Sequence, residues 1–201
     1  MKEPTAPSVA TADRLLVAAA ALFREKGFAA TSTRELSERL GIVKASLYHH
    51  IKSKDDLLLR ISMLSLERIR LAAVAAIEAA PPGETLRAVI AAHLETALTD
   101  RDMHATMLAE LHSLTPERRA TVLAERDAYE AVLRSVIAAE QQAGQLRTDL
   151  DARELTLGLL NLLNWTIFWY SPEGPQTPAD IARFLTTIYL DGATARPAPT
   201  P

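Results

Sequence analysis

Residues 31–57, TSTRELSERLGIVKASLYHHIKSKDDL, constrain this chain more than any other stretch, because they spell two short helices separated by a tight turn. Ser32 followed by Glu35 fits a capping box, in which hydroxyl and carboxylate satisfy each other's orphan backbone N–H groups, so a helix is predicted from about Thr33 to Leu40. Leu36 and Leu40 share one face of it, and Gly41 supplies the left-handed backbone needed just past its end. Ile42 is expected as a buried anchor for the turn. Residues 44–50 have the length of a second helix, with Leu47 and Ile51 pointing inward and Lys44, Ala45, Ser46, Tyr48 and His49 pointing out. That outward set carries donors and no acids. Ser53 and Asp56 repeat the capping pattern more loosely and start a further helix with Lys54 in its first turn. Helix, Gly-containing turn, helix is the helix-turn-helix signature, whose second helix enters the major groove of DNA.

Leu36, Gly41, Leu47, Tyr48, His50 and Lys54, in the spacing L-x-x-x-x-G-x-x-x-x-x-L-Y-x-H-x-x-x-K, resemble the DNA-binding domain of the TetR family of bacterial repressors. The resemblance extends back through AAAALFREKGF, residues 18–28, and so covers about the first third of the chain. It implies that Thr33 and Arg34 open the second helix, with Arg34 in reach of a base edge. It implies Lys44 and Ala45 facing bases, and Ser46, Tyr48, His50 and Lys54 holding phosphates; His49 falls where the family varies, and its partner stays open. Arg34 suits base readout because a guanidinium grips guanine O6 and N7 together. The alternatives are a helix-turn-helix that serves only packing, with Tyr48 at the rim of a small core, and a solvated face for Lys44 and His49.

Charge is distributed in keeping with this reading. Residues 1–60 hold 10 Lys+Arg against 7 Asp+Glu, net +3, and the remainder holds 12 against 18, net −6, which together give the chain's −3. Residues 1–12 are expected to be a disordered lead-in, with only Lys2 as a basic residue and hence no minor-groove arm. At 201 residues the chain can bury a real core, and it contains no cysteine, which excludes disulfides, thiolate zinc sites and cysteine nucleophiles and makes a reducing cytoplasm the natural compartment. The opening residues lack the order of a secretory signal. Residues 155–172 carry no charge and approach spanning length, but Thr156, Asn161, Asn164 and Thr166 dilute them and no cation anchors their far flank. They are expected to be a buried helix inside an oligomer and not a membrane span.

Beyond residue 57 the periodicity is helical throughout, so the fold class is all-α. Helices are expected over about 54–79, ending at Pro81-Pro82-Gly83; 84–98; 103–112; Pro116 to 142, closed by Gly144; 151–170; and Pro178 to 190. The proline-bearing tail 195–201 is expected to be disordered. The expected domains are therefore a three-helix DNA-binding head at 13–57 and a domain of about six helices at 58–194 that binds effector and dimerises. The family resemblance assigns dimerisation to the last two helices, about 153–170 and 178–190, as a four-helix bundle, and a small-molecule pocket to the helices between. The residues point the same way, because 155–170 is apolar beyond what one small domain can cover and Ile181, Phe184, Leu185 and Ile188 form a stripe. The partners expected are a palindromic double-stranded DNA operator, a second copy of the chain and a small-molecule effector, with no membrane.

Residues 164–184, NWTIFWYSPEGPQTPADIARF, resemble the branch of that family that controls fatty-acid, acyl-CoA and steroid breakdown. Many members carry arginines before and after the Trp-Tyr pair, where this chain has Phe168 and Ser171, so an apolar effector fits as well as a charged acyl-CoA. Pocket candidates are the polar residues His93, His104, Glu110, His112, Tyr129, Asn161 and Asn164 among apolar neighbours, with Met63, Met107, Trp165 and Trp169 as wall. For each of these the alternative is an ordinary interior or interface residue. No catalytic residue, metal site or cofactor is expected: there is no H-E-x-x-H, E-x-x-H, Gly-rich phosphate loop or G-x-S-x-G. A helical adaptor is the alternative function, followed by an all-α enzyme.

Overall fold

The computed structural model describes residues 9–193, apart from the side chains of residues 9–12, Lys44, His49, His50 and 191–193. Among the described residues the chain forms nine α-helices and one 3-10 turn, with no strand. The helices are α1 (Val9–Lys26), α2 (Thr33–Leu40), α3 (Lys44–His50), α4 (Lys54–Ala79), α5 (Thr85–Thr99), α6 (Arg101–Ala109), α7 (Pro116–Gln142), α8 (Ala152–Trp169) and α9 (Pro178–Ala193), with the 3-10 turn at Leu111–Ser113. The all-α expectation is met.

Most ends follow local chemistry. Asp151 caps α8 with Glu154 closing the box, and Thr177 and Asp180 do the same for α9. Three helix boundaries differ from expectation. α1 begins at Val9, inside the expected lead-in of residues 1–12, while residues 1–8 and the tail 195–201 lie outside the described residues. The helix expected over 103–112 ends at Ala109, because Glu110 O accepts from Ser113 N at 2.9 Å and tightens the chain into the 3-10 turn. α9 runs on to Ala193.

The chain divides into two compact units, Met1–Ser65 with Arg101–Leu123, and Leu66–Asp100 with Ala124–Pro201. In the first, α1 supplies Leu15, Leu16, Ala19, Leu22 and Phe23 to a core completed by Leu36, Leu47, Ile51, Leu57 and Ile61. α6 is tied to α1 by Thr106 Oγ1 donating to Ala20 O at 3.1 Å and by Arg24 pairing with Asp102 at 2.6 Å. Arg118 of α7 pairs with Asp55 of α4.

In the second unit, α5 packs on α8 and α9, and a core of Ile69, Ala73, Val89, Ala97, Tyr129 and Leu133 is lined further by Ala76, Ile77 and Leu160. Tyr189 OH donates to Leu155 O at 3.1 Å, and Arg68 pairs with Asp100 at 2.8 Å. α8 is not buried all round. Leu155, Leu159, Leu163 and Ile167 face the core, whereas Gly158, Asn161, Trp165, Phe168 and Trp169 line an exposed face. The α9 stripe likewise divides, Ile181 and Leu185 inward, Phe184 and Ile188 outward. Among the described residues no helix is long and apolar enough to cross a membrane.

Candidate functional site

The head is built from the cap outward. Ser32 Oγ accepts from Glu35 N at 3.2 Å while Glu35 Oε2 accepts from Ser32 N at 2.8 Å, so α2 starts with both orphan donors satisfied. At its other end Gly41, at φ 66°, donates to Glu38 O at 3.1 Å, and Ile42 donates to Ser37 O at 3.0 Å. These two bonds are the Schellman pattern, and they fix where α3 begins. Ile42 is half-buried and not the buried anchor expected, since the turn is held by its backbone. Two ion pairs brace α2 on α1: Lys26 to Glu35 at 2.8 Å and Arg39 to Glu25 at 3.0 Å. The Lys26 ammonium, followed by the Ser32 amide and hydroxyl, lowers the Glu35 carboxyl from its usual 4.5 to about 2.

The expected DNA-facing residues divide by what they touch. Arg34 stands 83% exposed at the start of α2, its Nε donating to Glu38 Oε1 at 2.8 Å. One carboxylate on Nε leaves the terminal amino groups facing solvent, and the spacing of four residues that makes this pair is visible in the sequence. Thr33 Oγ1 and Tyr48 OH lie 3.4 Å apart, joining α2 to α3 on the open side of the head. Ala45 is exposed and Ser46 half-buried. The side chains of Lys44, His49 and His50 lie outside the described residues.

Lys54 departs from the expectation of a phosphate contact. Its Nζ donates to the carbonyls of Phe28 at 2.6 Å, Thr31 at 2.9 Å and Ala29 at 3.3 Å, and sits 4.3 Å from the centroid of the Phe28 ring. An ammonium has three protons to give, and this one has three backbone acceptors. Lys54 therefore caps the loop between α1 and α2.

The pocket candidates divide between the two units. In the first unit, His104 is buried with Nδ1 3.2 Å from Ser65 Oγ, Met107 is core, Met63 is half-buried, and Glu110 accepts from Phe28 N at 3.0 Å and Ser113 Oγ at 2.9 Å. His112 is exposed, with Nδ1 3.0 Å from Ala109 O. In the second unit, His93 and Tyr129 are buried together, Nδ1 to OH 2.8 Å, and burial pushes the Tyr129 phenol well above its usual range so that it stays protonated. Asn161, Trp165 and Trp169 lie on the outer face of α8, and Asn164 is half-buried. The two tryptophans are consequently surface residues of the monomer and not walls of an internal pocket. The second unit also has two grooves that sequence reasoning missed. One, of about 530 Å³, runs along α5 and α9 between Arg87, Ala91, Ala179 and Arg183; the other, of about 460 Å³, is lined by Ile77, Thr85, Ser135 and Glu140.

Comparison with known proteins agrees with this architecture. Residues 15–61 match the family model described as bacterial regulatory proteins, tetR family, and residues 79–193 match that of the tetracyclin repressor-like C-terminal domain. The transcriptional repressor KstR2 of Rhodococcus jostii (strain RHA1) is 29% identical over 184 residues, 89% of this chain and 88% of its own length. The crystal structure of PfmR, a TetR family transcriptional regulator from Thermus thermophilus, is 38% identical, with a TM-score of 0.83 over 89% of this chain and 98% of that one. AibR, solved in complex with isovaleryl coenzyme A and operator DNA, is 26% identical, with a TM-score of 0.78 over 89% of this chain and 97% of that one. These are regulators and not enzymes, and the match of the C-terminal model over residues 79–193, together with that of the head, shows that this chain belongs to the TetR family of transcriptional regulators.

Proposed function

We propose that the chain is a homodimeric repressor that reads a palindromic operator through α2 and α3 and leaves it when a small, largely apolar effector binds. The observation that carries the DNA reading is the geometry of α2, turn and α3, with a boxed start, a Schellman stop and an open side bearing Arg34, Thr33, Ala45 and Tyr48. Arg34 reads a base edge; Lys44 and Ala45 face bases; Thr33, Ser46, Tyr48 and His50 position the backbone, and the partner of His49 is open. Base contacts specify and phosphate contacts position. The motif spans residues 13–57, effector binding and dimerisation belong to residues 58–194, and the site of action is the cytoplasm.

Dimerisation is supported by what α8 and α9 leave open. Trp165, Phe168 and Trp169 on α8 and Phe184 and Ile188 on α9 are all exposed, and Trp165 and Phe168 have ring centroids 4.7 Å apart. Such a cluster on a monomer marks an interface, and a second copy supplies the matching face through a twofold axis. Two recognition helices then fall about 34–36 Å apart, one turn of DNA.

The effector reading is supported by the His93–Tyr129 pair among Ile69, Val89, Leu133 and Leu160, a polar handle inside an apolar wall. Phe168 and Ser171 stand where the resemblance to the acyl-CoA and steroid branch would put arginines, so an effector of low charge fits as well as a charged one. The AibR complex with isovaleryl coenzyme A keeps short acyl thioesters in the test panel. Effector and DNA would antagonise each other reciprocally, with α4 and α7, which each pass from one unit into the other, as covalent routes. Selection of bound sequences from randomised duplex at near-physiological salt tests the head and the dimer together. An enriched palindrome is expected; folded protein that enriches nothing would return the chain to a helical adaptor.

A further inference from the structure

The loop joining α1 to α2, residues 27–31, sets the direction in which the helix-turn-helix leaves α1. Gly27 turns the chain at φ 84°, its N–H donating to Phe23 O at 2.8 Å. Thr31 Oγ1 reaches back to Gly27 O at 2.9 Å and Leu22 O at 3.3 Å. The remaining contacts come from far along the chain. Lys54 takes Phe28 O from 26 residues away, and Glu110 accepts Phe28 N from 82 residues away. Residue 28 is thus gripped on its carbonyl by a cation and on its amide by an anion, and both bonds are charge-assisted. The Phe28 ring fills the space between, edge-on to Phe23 with centroids 5.2 Å apart and beneath the Lys54 ammonium.

Glu110 is itself held in place. It ends α6 with its N–H on Thr106 O at 2.9 Å, and its second carboxylate oxygen accepts from Ser113 Oγ at 2.9 Å. Thr106 in turn donates its hydroxyl to Ala20 O on α1, so the segment that carries Glu110 is anchored on the helix from which the loop departs. This explains why residues 101–123 belong to the same compact unit as the head.

From this we infer that Glu110 is a positioning residue for operator recognition: by accepting the Phe28 amide against the pull of Lys54 it fixes the exit of α1, and with it the seat of α2 and the direction of Arg34. The inference rests on the DNA reading proposed above. It reassigns Glu110 from the effector pocket to the support of the head. Loss of the carboxylate leaves every DNA-facing side chain present but lets the helices that carry them drift, a defect that a selected operator feels and an unrelated duplex does not.

The experiment uses the full chain with Glu110→Ala and Glu110→Gln, a duplex enriched by selection, an unrelated duplex of equal length, and amide hydrogen exchange at Phe28 without DNA. Glu110→Ala is expected to speed Phe28 exchange and weaken operator binding, each roughly tenfold, with unrelated-duplex binding and the salt slope unchanged because no phosphate contact is removed. Glu110→Gln, which keeps an acceptor oxygen, is expected to restore most of both. Unchanged exchange at Phe28 overturns the hydrogen bond, and faster exchange with parental operator affinity overturns its role in positioning. Equal losses on both duplexes, or a Glu110→Gln protein as weak as Glu110→Ala, overturn it too. A parent that prefers no duplex overturns the DNA reading and this inference with it, and is told apart from failure of the clamp because exchange is read without DNA.

Discussion

Replacement of Trp165 by alanine tests the dimer where the structure makes the largest commitment. The side chain is 65% exposed on α8, packed against Phe168, with Trp169 one turn further along the same helix. A packed tryptophan buries roughly 150–250 Å², so covering the open part of this one removes on the order of 130 Å² from water, about 3 kcal/mol at about 25 cal/mol/Å². A twofold interface loses the residue from both protomers, and ordering of the side chains offsets part of the gain, which leaves about 4 kcal/mol per dimer. That weakens the dimer roughly a thousandfold. Sedimentation from nanomolar to micromolar protein should show Trp165→Ala dissociating where the parent stays dimeric, with the melting of the isolated chain little altered. Emission gives an independent reading, since both tryptophans of the chain lie on this face and their fluorescence should shift to the blue as the parent dimerises. A dissociation constant within about threefold of the parent's, or emission of water-exposed indole from the dimer, would refute the reasoning.

Three further outcomes are expected. Arg34→Ala should cost about 1–3 kcal/mol of operator affinity and relax preference at one base pair, because the pair with Glu38 is open to solvent, weak, and yields to a guanine; binding to single-base operator variants checks this. Lys54→Ala should lower the melting temperature by roughly 4–8 °C, from the loss of about 2 kcal/mol of capping bonds, while the slope of log affinity against log salt stays as in the parent. A slope smaller by about 1 per protomer would instead make Lys54 a phosphate contact. Glu35 is held from 4.5 down to about 2, so its stabilising contribution is complete above about pH 4.5 and is lost as pH falls towards about 2. Parent and Glu35→Gln melting temperatures should therefore differ at neutral pH and converge through that window; a difference independent of pH would count against the Lys26–Glu35 bond.

The helix ends that sequence could place are those whose cause is local. Ser32 with Glu35, Gly41, Pro81-Pro82-Gly83, Pro116, and Asp151 with Glu154 each act within a few residues, and the observed boundaries fall on them or beside them. The end of α6 is of another kind. Its carboxylate at Glu110 serves Phe28, 82 residues away, and no window of the sequence contains both. α8 shows the same limit in a different form: apolar composition announces burial, yet periodicity alone does not tell which part of an apolar cylinder meets its own core and which stays exposed. Only the packing of Leu159, Leu163 and Ile167 inward separates that part from Trp165 and Phe168.

Side-chain chemistry is legible one step earlier than side-chain employment. Arg34 and Lys54 are both cations at helix starts in the head, and the sequence treats them alike. Their difference comes from the backbone that each meets. Arg34 has a carboxylate one turn on along its own helix and solvent elsewhere, so its guanidinium stays available at a cost that a base can meet. Lys54 lies against the loop that follows α1, where three carbonyls have left the helical pattern and need donors. Its three protons are taken up there, two of them by the part-buried carbonyls of Phe28 and Thr31, so a phosphate contact would compete with bonds inside the head. The same kind of charge thus stays open to solvent in one place and holds a loop in the other, and the balance is decided by which acceptors each cation meets.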